Sequence, residues 1–377
     1  MNPRVMARKI LIPILALAIL VTFAAPLWAG DPKPVAKIGG TLQIYGQFSP
    51  ASLTFDDGGQ TSSLVVDNSN SNSRVGLWYR RPFVWGQLNV NFETAVGFRG
   101  SNSISQNFQI SDWGWSKSNI RKAEVIWETS RIGTFYLGQG AMASDGVANR
   151  DLSGTSIVSY VGIPDVAGAF FLRTQAGGLS PVAIGAVFPN CDGGRRTRLR
   201  YDTRSFRGVV FSTSIGKQVL SNLAQTQDSD AVIRYDRDFD RFRIIAAGGY
   251  TWINRKTAAN NRTVVGSFSI EHKATGLSFT TSSGSRNTQG SYRYFKLGYK
   301  AELPRVGPFS ISIDYYGANN MVIGGSRSES YGMGILQRFS NPRVEAYLGV
   351  RTYRFTDPSP VRYQDADSVL VGARWKF

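Results

Sequence analysis

The segment VLVGARWKF, residues 369–377, shows the pattern that decides the fold. Its apolar side chains occupy alternate positions, which are Val369, Val371, Ala373, Trp375 and Phe377. The positions between them carry mostly polar or small residues and end in an arginine and a lysine. Because successive side chains of an extended chain point to opposite faces, this alternation predicts a strand with one oily face and one wet face. The solvent that the oily face contacts then decides the class of protein.

The same alternation recurs along the chain. It is clear in WGQLNVNFETAVGF (85–98), RTVVGSFSIEHK (262–273), PFSISIDYYG (308–317) and RVEAYLGVRTY (343–353). No helical period competes with it after residue 29, so the pattern predicts an all-β protein.

The connectors between these segments alternate in length. Some are tight turns of a few residues, and others are long and polar, such as residues 56–73 and 101–118. A meander of strands with tight turns at one end and long loops at the other has this signature. We count about sixteen strands, an even number that is typical of single-chain bacterial barrels. The sequence therefore predicts a transmembrane antiparallel β-barrel with short periplasmic turns and long extracellular loops.

A soluble β-sandwich is the alternative, because its strands alternate in the same way. Two features favour the barrel. The strands run for about 9–12 residues, the length that a tilted strand needs to cross a bilayer. Aromatic residues such as Trp127, Trp252 and Phe339 also gather near strand ends, as expected for interfacial girdles. A closed barrel leaves no strand edge unpaired in hydrocarbon. We therefore expect the final strand, VLVGARWKF, to pair with IGGTLQIYGQF (38–48) and close the ring.

The first 29 residues differ in composition from the rest. Arg4, Arg8 and Lys9 precede a long apolar run, and a small residue, Ala29, ends the segment. This order is that of a cleaved secretory signal peptide, with an uncleaved membrane anchor as the alternative. We expect residues 1–29 to be removed and residues 30–377 to form a single barrel domain.

The amino-acid composition excludes most kinds of catalytic and metal site. The chain has one cysteine, Cys191, so no intramolecular disulfide can form, and one histidine, His272. His272 shares the parity of the outward residues on its strand, so a Ser-His or Asp-His arrangement is not expected. We predict no enzyme activity, no metal site and no cofactor. The net charge of +17 could attract nucleic acid, but we expect no such partner for an exported barrel.

Four stretches resemble the general porins of Gram-negative outer membranes. GGTLQIYGQFS (39–49) is similar to the first strand of that family. DDGG (56–59) and NSNSRVGLWYRR (70–81) are similar to its first loop and second strand. RKAEVIWETSRIGTFYLGQG (121–140) resembles the strand pair that leads into the constriction loop. The alternating strand that ends in Phe377 is similar to the signal that the outer-membrane assembly machinery recognises.

The resemblance implies properties that composition alone does not show. It implies a sixteen-stranded barrel in the outer membrane, a homotrimer, and passive diffusion of small hydrophilic solutes and ions. It also implies contact with outer-membrane lipid and lipopolysaccharide. The barrel assembly machinery would recognise the end of the chain that carries Trp375 and Phe377.

One connector is far longer than the others. Residues 141–196 lie between a strand that ends near Gly140 and one that begins near Thr197, and they are too apolar for disorder. They occupy the place of the family's constriction loop, which folds into the barrel. We expect FFLRTQ (170–175) or PVAIGAVF (181–188) to form an extra hairpin or a short helix. The alternative is that two barrel strands lie here.

The resemblance also implies charges in the pore, where acids of the loop oppose bases of the wall. The loop acids would be Asp145 and Asp151, with Asp165 as a weaker candidate. Five bases near the loop have the parity of an inward side chain, and they are Arg74, Lys122, Arg196, Arg198 and Arg200. The alternative for each is a solvated wall position or a contact with lipopolysaccharide at the rim.

Other positions of inward parity are also charged. The bases are Arg234, Arg243, Lys296, Lys300, Arg351 and Arg374, and the acids are Glu93, Glu124, Asp236, Glu271, Asp314 and Glu345. With the five wall bases included, the lumen is positive, so we predict a channel that prefers anions. The alternatives are a substrate-selective channel, for phosphate or another anion, and a barrel plugged by the long connector.

Overall fold

The computed structural model describes residues 34–37, 39–221, 226–255, 259–339 and 343–377. The predicted signal peptide lies outside these residues. Within them the chain is almost entirely β-structure, as predicted. None of their helices is long and apolar enough to cross a membrane.

The described residues form twenty-one strands. They are β1 (Pro34–Lys37), β2 (Thr41–Phe48), β3 (Pro50–Asp56), β4 (Thr61–Asp67), β5 (Arg74–Phe83), β6 (Gly86–Ala95), β7 (Ile120–Thr129), β8 (Thr134–Ala141), β9 (Phe171–Arg173), β10 (Leu179–Ala183), β11 (Arg195–Asp202), β12 (Val209–Lys217), β13 (Thr226–Asp238), β14 (Phe242–Arg255), β15 (Asn261–His272), β16 (Leu277–Arg286), β17 (Ser291–Leu303), β18 (Gly307–Asn319), β19 (Arg327–Phe339), β20 (Val344–Thr356) and β21 (Ala366–Lys376). The later strands are the longer ones, and the strands from β6 to β12 have ten residues or fewer.

The strands close into an antiparallel barrel of sixteen positions, as predicted. β2 and β3 together fill one position and β4 and β5 the next, because Ser49 and residues 68–73 interrupt otherwise continuous strands. β1 pairs with β2 at the edge of the barrel. β9 and β10 form a separate two-stranded sheet, so the alternative that placed two barrel strands in the long connector is wrong.

The last strand closes the ring against the first, but not in the expected register. β21 makes six residue pairs with β3 and only two with β2. The expectation that residues 38–48 supply this pairing is therefore mostly wrong. The backbone of Phe377 exchanges hydrogen bonds of 3.0 and 3.1 Å with Gly46. A side chain at Gly46 would be crowded, because its Cβ would lie 2.8 Å from the Arg74 carbonyl oxygen as well as 2.4 Å from the Phe377 ring.

Short turns lie at one end of the barrel and the longer connectors at the other. At the short-turn end the chain reverses at residues 84–85, 130–133, 203–208, 239–241, 273–276 and 304–306. The opposite end carries residues 96–119 and 142–194. The prediction of one loop over residues 56–73 is wrong, because β4 forms within it and the chain reverses at residues 57–60.

The outer face of the barrel is apolar. Val264, Leu297 and Ile313 point outward and are 54%, 57% and 57% exposed. Lipid accommodates such a face, and the closed ladder pairs the backbone groups that hydrocarbon could not. The oily face of the segment 369–377 belongs to this outer surface.

The connector between β8 and β11 folds back into the barrel. This inner connector, residues 142–194, contains the β9–β10 hairpin and two short helices, Pro164–Ala167 and Ile184–Val187. The hairpin and the second helix arise within the FFLRTQ and PVAIGAVF segments and the residues between them. Apolar residues of the inner connector pack with inward side chains of the barrel into one core.

Candidate functional site

The inner connector lies against one side of the barrel interior. Its apolar residues pack on inward side chains of β3, β4, β13–β15 and β17–β21, which we call the covered wall. Phe170 stacks on Phe55 with ring centroids 4.2 Å apart, and Phe188 packs at 5.5 Å on Tyr316. Among the described residues, β2, β5–β8, β11 and β12 add no side chain to this core, and we call these strands the open wall.

Two bases of the covered wall are buried and paired with acids. Lys296 on β17 is 1% exposed, and its Nζ lies 2.7 Å from Oδ2 of Asp151 in the inner connector. Arg351 on β20 donates to both carboxylate oxygens of Asp314 on β18, at 2.8 Å each. Ser159 of the inner connector donates to Asp314 and accepts from Lys296 through its carbonyl. Because a buried charge without its partner is strongly destabilising, these pairs hold the connector on the wall.

Asp151, one of the two predicted pore acids, lies in this buried layer. Burial alone would raise the pKa of its carboxyl, but the ion pair with Lys296 holds that pKa below its usual range. The Ser153 N–H donates a further hydrogen bond of 2.7 Å. Asp151 therefore faces protein on the covered wall, and the expected position in the open lumen is not observed.

Two predicted arginines of β11 are paired within the open wall. Arg198 is 3% exposed and forms an ion pair with Glu124 on β7. Arg200 makes two hydrogen bonds to Asp202, at 2.8 and 2.7 Å, and donates to the Met142 carbonyl at 3.1 Å. These contacts hold the start of the inner connector and leave little of either charge exposed.

Neighbouring strands hold the start of the inner connector in the same way. Arg234 on β13 donates to a connector carbonyl, and Asp230 accepts a 2.8 Å hydrogen bond from the Ser144 N–H. Arg196, the third predicted arginine of β11, lies 2.7 Å from Asp228. The three β11 arginines that the sequence analysis predicted, Arg196, Arg198 and Arg200, are thus matched with acids.

Four basic residues gather on the open wall, and we call them the basic cluster. They are Arg74 on β5, Arg121 and Lys122 on β7, and Arg195 at the start of β11. Nε of Arg121 lies 2.7 Å from one oxygen of Glu93 on β6, and Nε of Arg74 lies 3.6 Å from the other. Lys122 pairs with Glu93 in the strand register, and Arg195 interacts electrostatically with Arg121 and Glu93. All four bases are partly exposed.

A β-bulge brings Arg121 into the basic cluster. Strict alternation places Lys122 inward and Arg121 outward. The register of β7 on β6 shifts between Lys122 and Ile120, so both basic side chains reach the interior. The sequence analysis missed Arg121 because no local signal marks the bulge. It missed Arg195 because that residue has outward parity, which does not hold at the first residue of a strand.

Two acids of the inner connector approach the basic cluster. Asp145, a predicted pore acid, and Asp165 both act electrostatically on Arg195. Asp165 lies in the first short helix and accepts a hydrogen bond from Tyr160. Burial raises the pKa of Asp165 to about 7, although Arg195 and Asn102 act in the opposite direction. The charge of Asp165 therefore changes near neutral pH.

Trp78 and Tyr45 form an aromatic shelf on the open wall, on the short-turn side of the basic cluster. Their ring centroids lie 6.4 Å apart with 27° between the planes. The Arg80 guanidinium lies 4.8 Å from the Trp78 centroid, and Lys122 Nζ lies 5.9 Å from it. Arg80 also donates to the Gln43 side chain at 2.6 Å. All five side chains are partly exposed.

The remaining chemically reactive groups lie apart. His272 sits at the short-turn end, with Nδ1 2.8 Å from the Thr275 hydroxyl and its ring packed at 4.9 Å on Phe242. The thiol of Cys191 is buried in the inner connector. In the part of the chain that the structure describes, no three His, Cys, Asp or Glu residues gather into a metal site.

Comparison with known proteins agrees with this architecture. A family model described as Gram-negative porin matches residues 16–358. No curated protein matches the chain. The structure is similar to the anion-selective porin from Comamonas acidovorans, with a TM-score of 0.60 at 14% identity over 90% of this chain and 100% of that chain. It is also similar to Salmonella typhi OmpF in complex with daunomycin, with a TM-score of 0.57 at 11% identity over 92% and 100%.

A third similar structure is the trimer form of OmpT from Vibrio cholerae. Its TM-score is 0.54 at 13% identity, over 90% of this chain and 99% of that chain. At such identities these three likenesses show a shared fold and no shared specificity.

Proposed function

The chain belongs to the Gram-negative porin family, and from that membership we propose a water-filled channel for passive diffusion of small hydrophilic solutes and ions, with a preference for anions. The protein is an integral β-barrel of the bacterial outer membrane, as its sequence predicts. It acts as a channel and has no enzymatic role in this proposal.

The basic cluster is the observation that supports the anion preference. Its four bases are partly exposed on the open wall, whereas Lys296 and Arg351 on the covered wall are buried against acids. Glu93 is shared between Arg74 and Arg121, so one carboxylate is set against several bases. Charges that line a narrow lumen with low-dielectric walls act strongly on a passing ion.

We place the constriction where the inner connector approaches this cluster. Asp145 and Asp165 face Arg195 there, so acids of the connector oppose bases of the wall. Arg74, Lys122 and Asp145 keep their predicted pore roles in this proposal, and Arg121 and Arg195 are added to them. The predicted residues that pair with protein groups instead, which are Arg196, Arg198, Arg200 and Asp151, hold the wall and the connector in place.

The test is single-channel recording of the refolded protein in a planar bilayer under a KCl gradient. We expect current steps whose reversal potential shifts towards the chloride potential. The shift should shrink at high salt, because the Debye length falls from about 8 Å at 0.15 M to about 3 Å at 1 M. A reversal potential on the potassium side would contradict the anion preference while leaving the channel in place.

A plugged barrel is the second candidate. The observation that favours it is the apolar core that the inner connector forms with the covered wall. Recording separates the two, since a protein that is demonstrably folded and gives no current steps would be a plugged barrel.

We also propose that the protein assembles as a homotrimer in contact with lipid and lipopolysaccharide. Large apolar side chains lie exposed outside the barrel near residues 96–119, including Val65 at 71%, Phe98 at 39% and Trp113 at 60%. A second subunit would cover part of this surface. The mass of the detergent-purified protein, measured by light scattering, tests the trimer, and a monomer mass would contradict it.

We also propose that the barrel assembly machinery recognises the C-terminal residues. The rings of Trp375 and Phe377 pack together at 5.1 Å. Deletion of Phe377 should lower the amount of barrel in the outer membrane, measured by fractionation of cells. An unchanged amount would remove this role.

A further inference from the structure

The aromatic shelf is a surface that simple ion diffusion does not require. Trp78 and Tyr45 point into the interior at a level between the basic cluster and the short-turn end. The indole of Trp78 is partly exposed there, although the outer face of the barrel offers lipid contact for large apolar rings. Small inorganic anions gain nothing from such a surface.

The groups around the shelf combine two kinds of recognition. The π-faces of Trp78 and Tyr45 suit a flat ring, because offset aromatic rings attract beyond the area that they bury. Arg80 and Lys122 flank the same indole at 4.8 and 5.9 Å, so a cation lies within reach of any anionic group carried by that ring. A guanidinium can also bind a carboxylate through two hydrogen bonds.

Nearby acids are engaged by other partners and would repel an anion weakly. Glu93 accepts hydrogen bonds from Tyr45 and Arg121, at 3.0 and 2.7 Å. Glu124 on the next strand forms its ion pair with Arg198. The positive charge of Arg80 therefore remains available to a ligand, and Lys122 adds a charge that it shares with Glu93.

We infer that the aromatic shelf, with Arg80 and Lys122, is a weak binding site for aromatic carboxylates that pass through the barrel. The ring of the ligand stacks on Trp78 and Tyr45, and its carboxylate binds Arg80 or Lys122. This inference rests on the proposed channel, which supplies the route to the site, and it names a class of permeating anion. Neutral sugars would use the rings but not the cations, and acetate would use the cations but not the rings.

The experiment uses benzoate as the probe and the chloride current of the refolded full-length protein as the readout. Benzoate, acetate and benzyl alcohol are titrated in turn, and the concentration that halves the chloride current is measured for each. We expect benzoate to act at about a tenfold lower concentration than the other two probes. Equal potency of benzoate and acetate would overturn the site and leave the anion channel intact.

Variants locate the effect. Trp78→Ala should weaken the benzoate block about tenfold relative to the variant's own chloride current. Trp127→Ala, on the outside of β7, is the matched control and should leave the block unchanged, since that indole is 45% exposed on the outer face. Lys122→Met provides a second variant and should also weaken the block. A block that survives in Trp78→Ala would come from the basic cluster, and the inference would fail.

One further outcome separates this inference from the proposed function. A folded wild-type protein that conducts no chloride would overturn the proposed channel, and the site would fail with it. Normal chloride conductance with no preference for benzoate would overturn only the site.

Discussion

The covered wall and the open wall are built from the same alternating strands, yet they treat charge in opposite ways. On the covered wall, Lys296 and Arg351 are buried and each binds a carboxylate at 2.7–2.8 Å. On the open wall, Arg74, Lys122 and Arg195 remain partly exposed and crowd together. Like charges in proximity cost free energy, whereas buried ion pairs hold structure together. The difference teaches that an inward base is structural where folding buries it against an acid, as for Lys296 on the covered wall and Arg198 at the start of the connector, and available to ions where it stays partly exposed.

Removing one partner of an ion pair on the covered wall should give the largest effect, a loss of stability. Lys296→Met leaves the buried Asp151 carboxylate without its partner, and loss of one member of a buried pair costs about 3–5 kcal/mol. The measurement is the free energy of unfolding in urea. Lys300→Met is the control, because Lys300 pairs with Glu271 but its side chain is 31% exposed, and exposed pairs contribute about 0–1 kcal/mol.

A double variant sharpens this result. Replacing both partners, as in Lys296→Met with Asp151→Leu, should recover most of the lost stability because no unpaired charge remains. A double variant as unstable as Lys296→Met alone would mean that packing, and not the ion pair, holds the inner connector on β17.

Charge reversal on the open wall should give the next largest effect. Lys122→Glu and Arg195→Glu should each move the reversal potential towards the potassium value, because each change replaces a positive charge of the basic cluster by a negative one. Arg293→Glu is the matched control, since it makes the same change at an exposed position on the outside of β17. An equal shift in the control would show that net charge, and not the cluster, sets selectivity.

Titration of Asp165 should change the anion preference less than charge reversal on the open wall does. Because the pKa of Asp165 is raised to about 7, its carboxyl is mostly neutral below that pH and negative above it. Anion preference should therefore fall as the pH rises from 6 to 8, and Asp165→Asn should remove that change. Reversal potentials measured over this range provide the check.

A second acid of the inner connector, Asp192, also changes charge close to this pH range, so its contribution has to be separated from that of Asp165. Burial raises the pKa of Asp192 to about 6, and this carboxyl accepts hydrogen bonds from the Gly146 and Ala148 N–H groups at 3.0 Å. A pH dependence that persists in Asp165→Asn and disappears in Asp192→Asn would assign the effect to Asp192.

The smallest effect, a local change in hydrogen exchange, is expected in the β9–β10 hairpin of the inner connector. Arg173, the last residue of β9, makes hydrogen bonds of 2.7 and 2.9 Å to the two oxygens of Asp57 in the turn after β3. Although burial opposes it, the hydrogen bond with Arg173 lowers the pKa of Asp57 to about 2, so this contact persists well into acid. Asp57→Asn should speed amide hydrogen exchange in the β9–β10 hairpin without changing that of β17. If Asp57→Asn leaves the exchange rates of the hairpin unchanged, or changes those of β17 equally, the contact does not hold the hairpin.

Much of the fold follows from the sequence because its signals are local. Period-2 alternation depends only on adjacent residues, so the strands, their two faces and the inward parity of Arg74 and Lys122 could be read directly. The apolar character of residues 141–196 likewise indicated an ordered segment, and the resemblance to porins implied that it folds into the barrel.

The site depended on neighbours that are distant in sequence. Asp151 could be assigned to the inner connector, but its contact with Lys296 joins residues 145 positions apart. Parity showed that Arg198 points inward, and only the pairing of β7, β8 and β11 brings Glu124 to it. Arg121 enters the lumen through a bulge in the β6–β7 register, which alternation cannot reveal.

The sequence by itself determined the class of protein, the alternating strands and the two faces of the barrel, because each of these rests on the chemistry of neighbouring residues along an extended chain. Only the tertiary structure decided which inward charges are buried in pairs and which remain exposed. That outcome depends on where the inner connector lies, since an ion pair forms only where folding brings opposite charges within a few ångströms and removes water from around them.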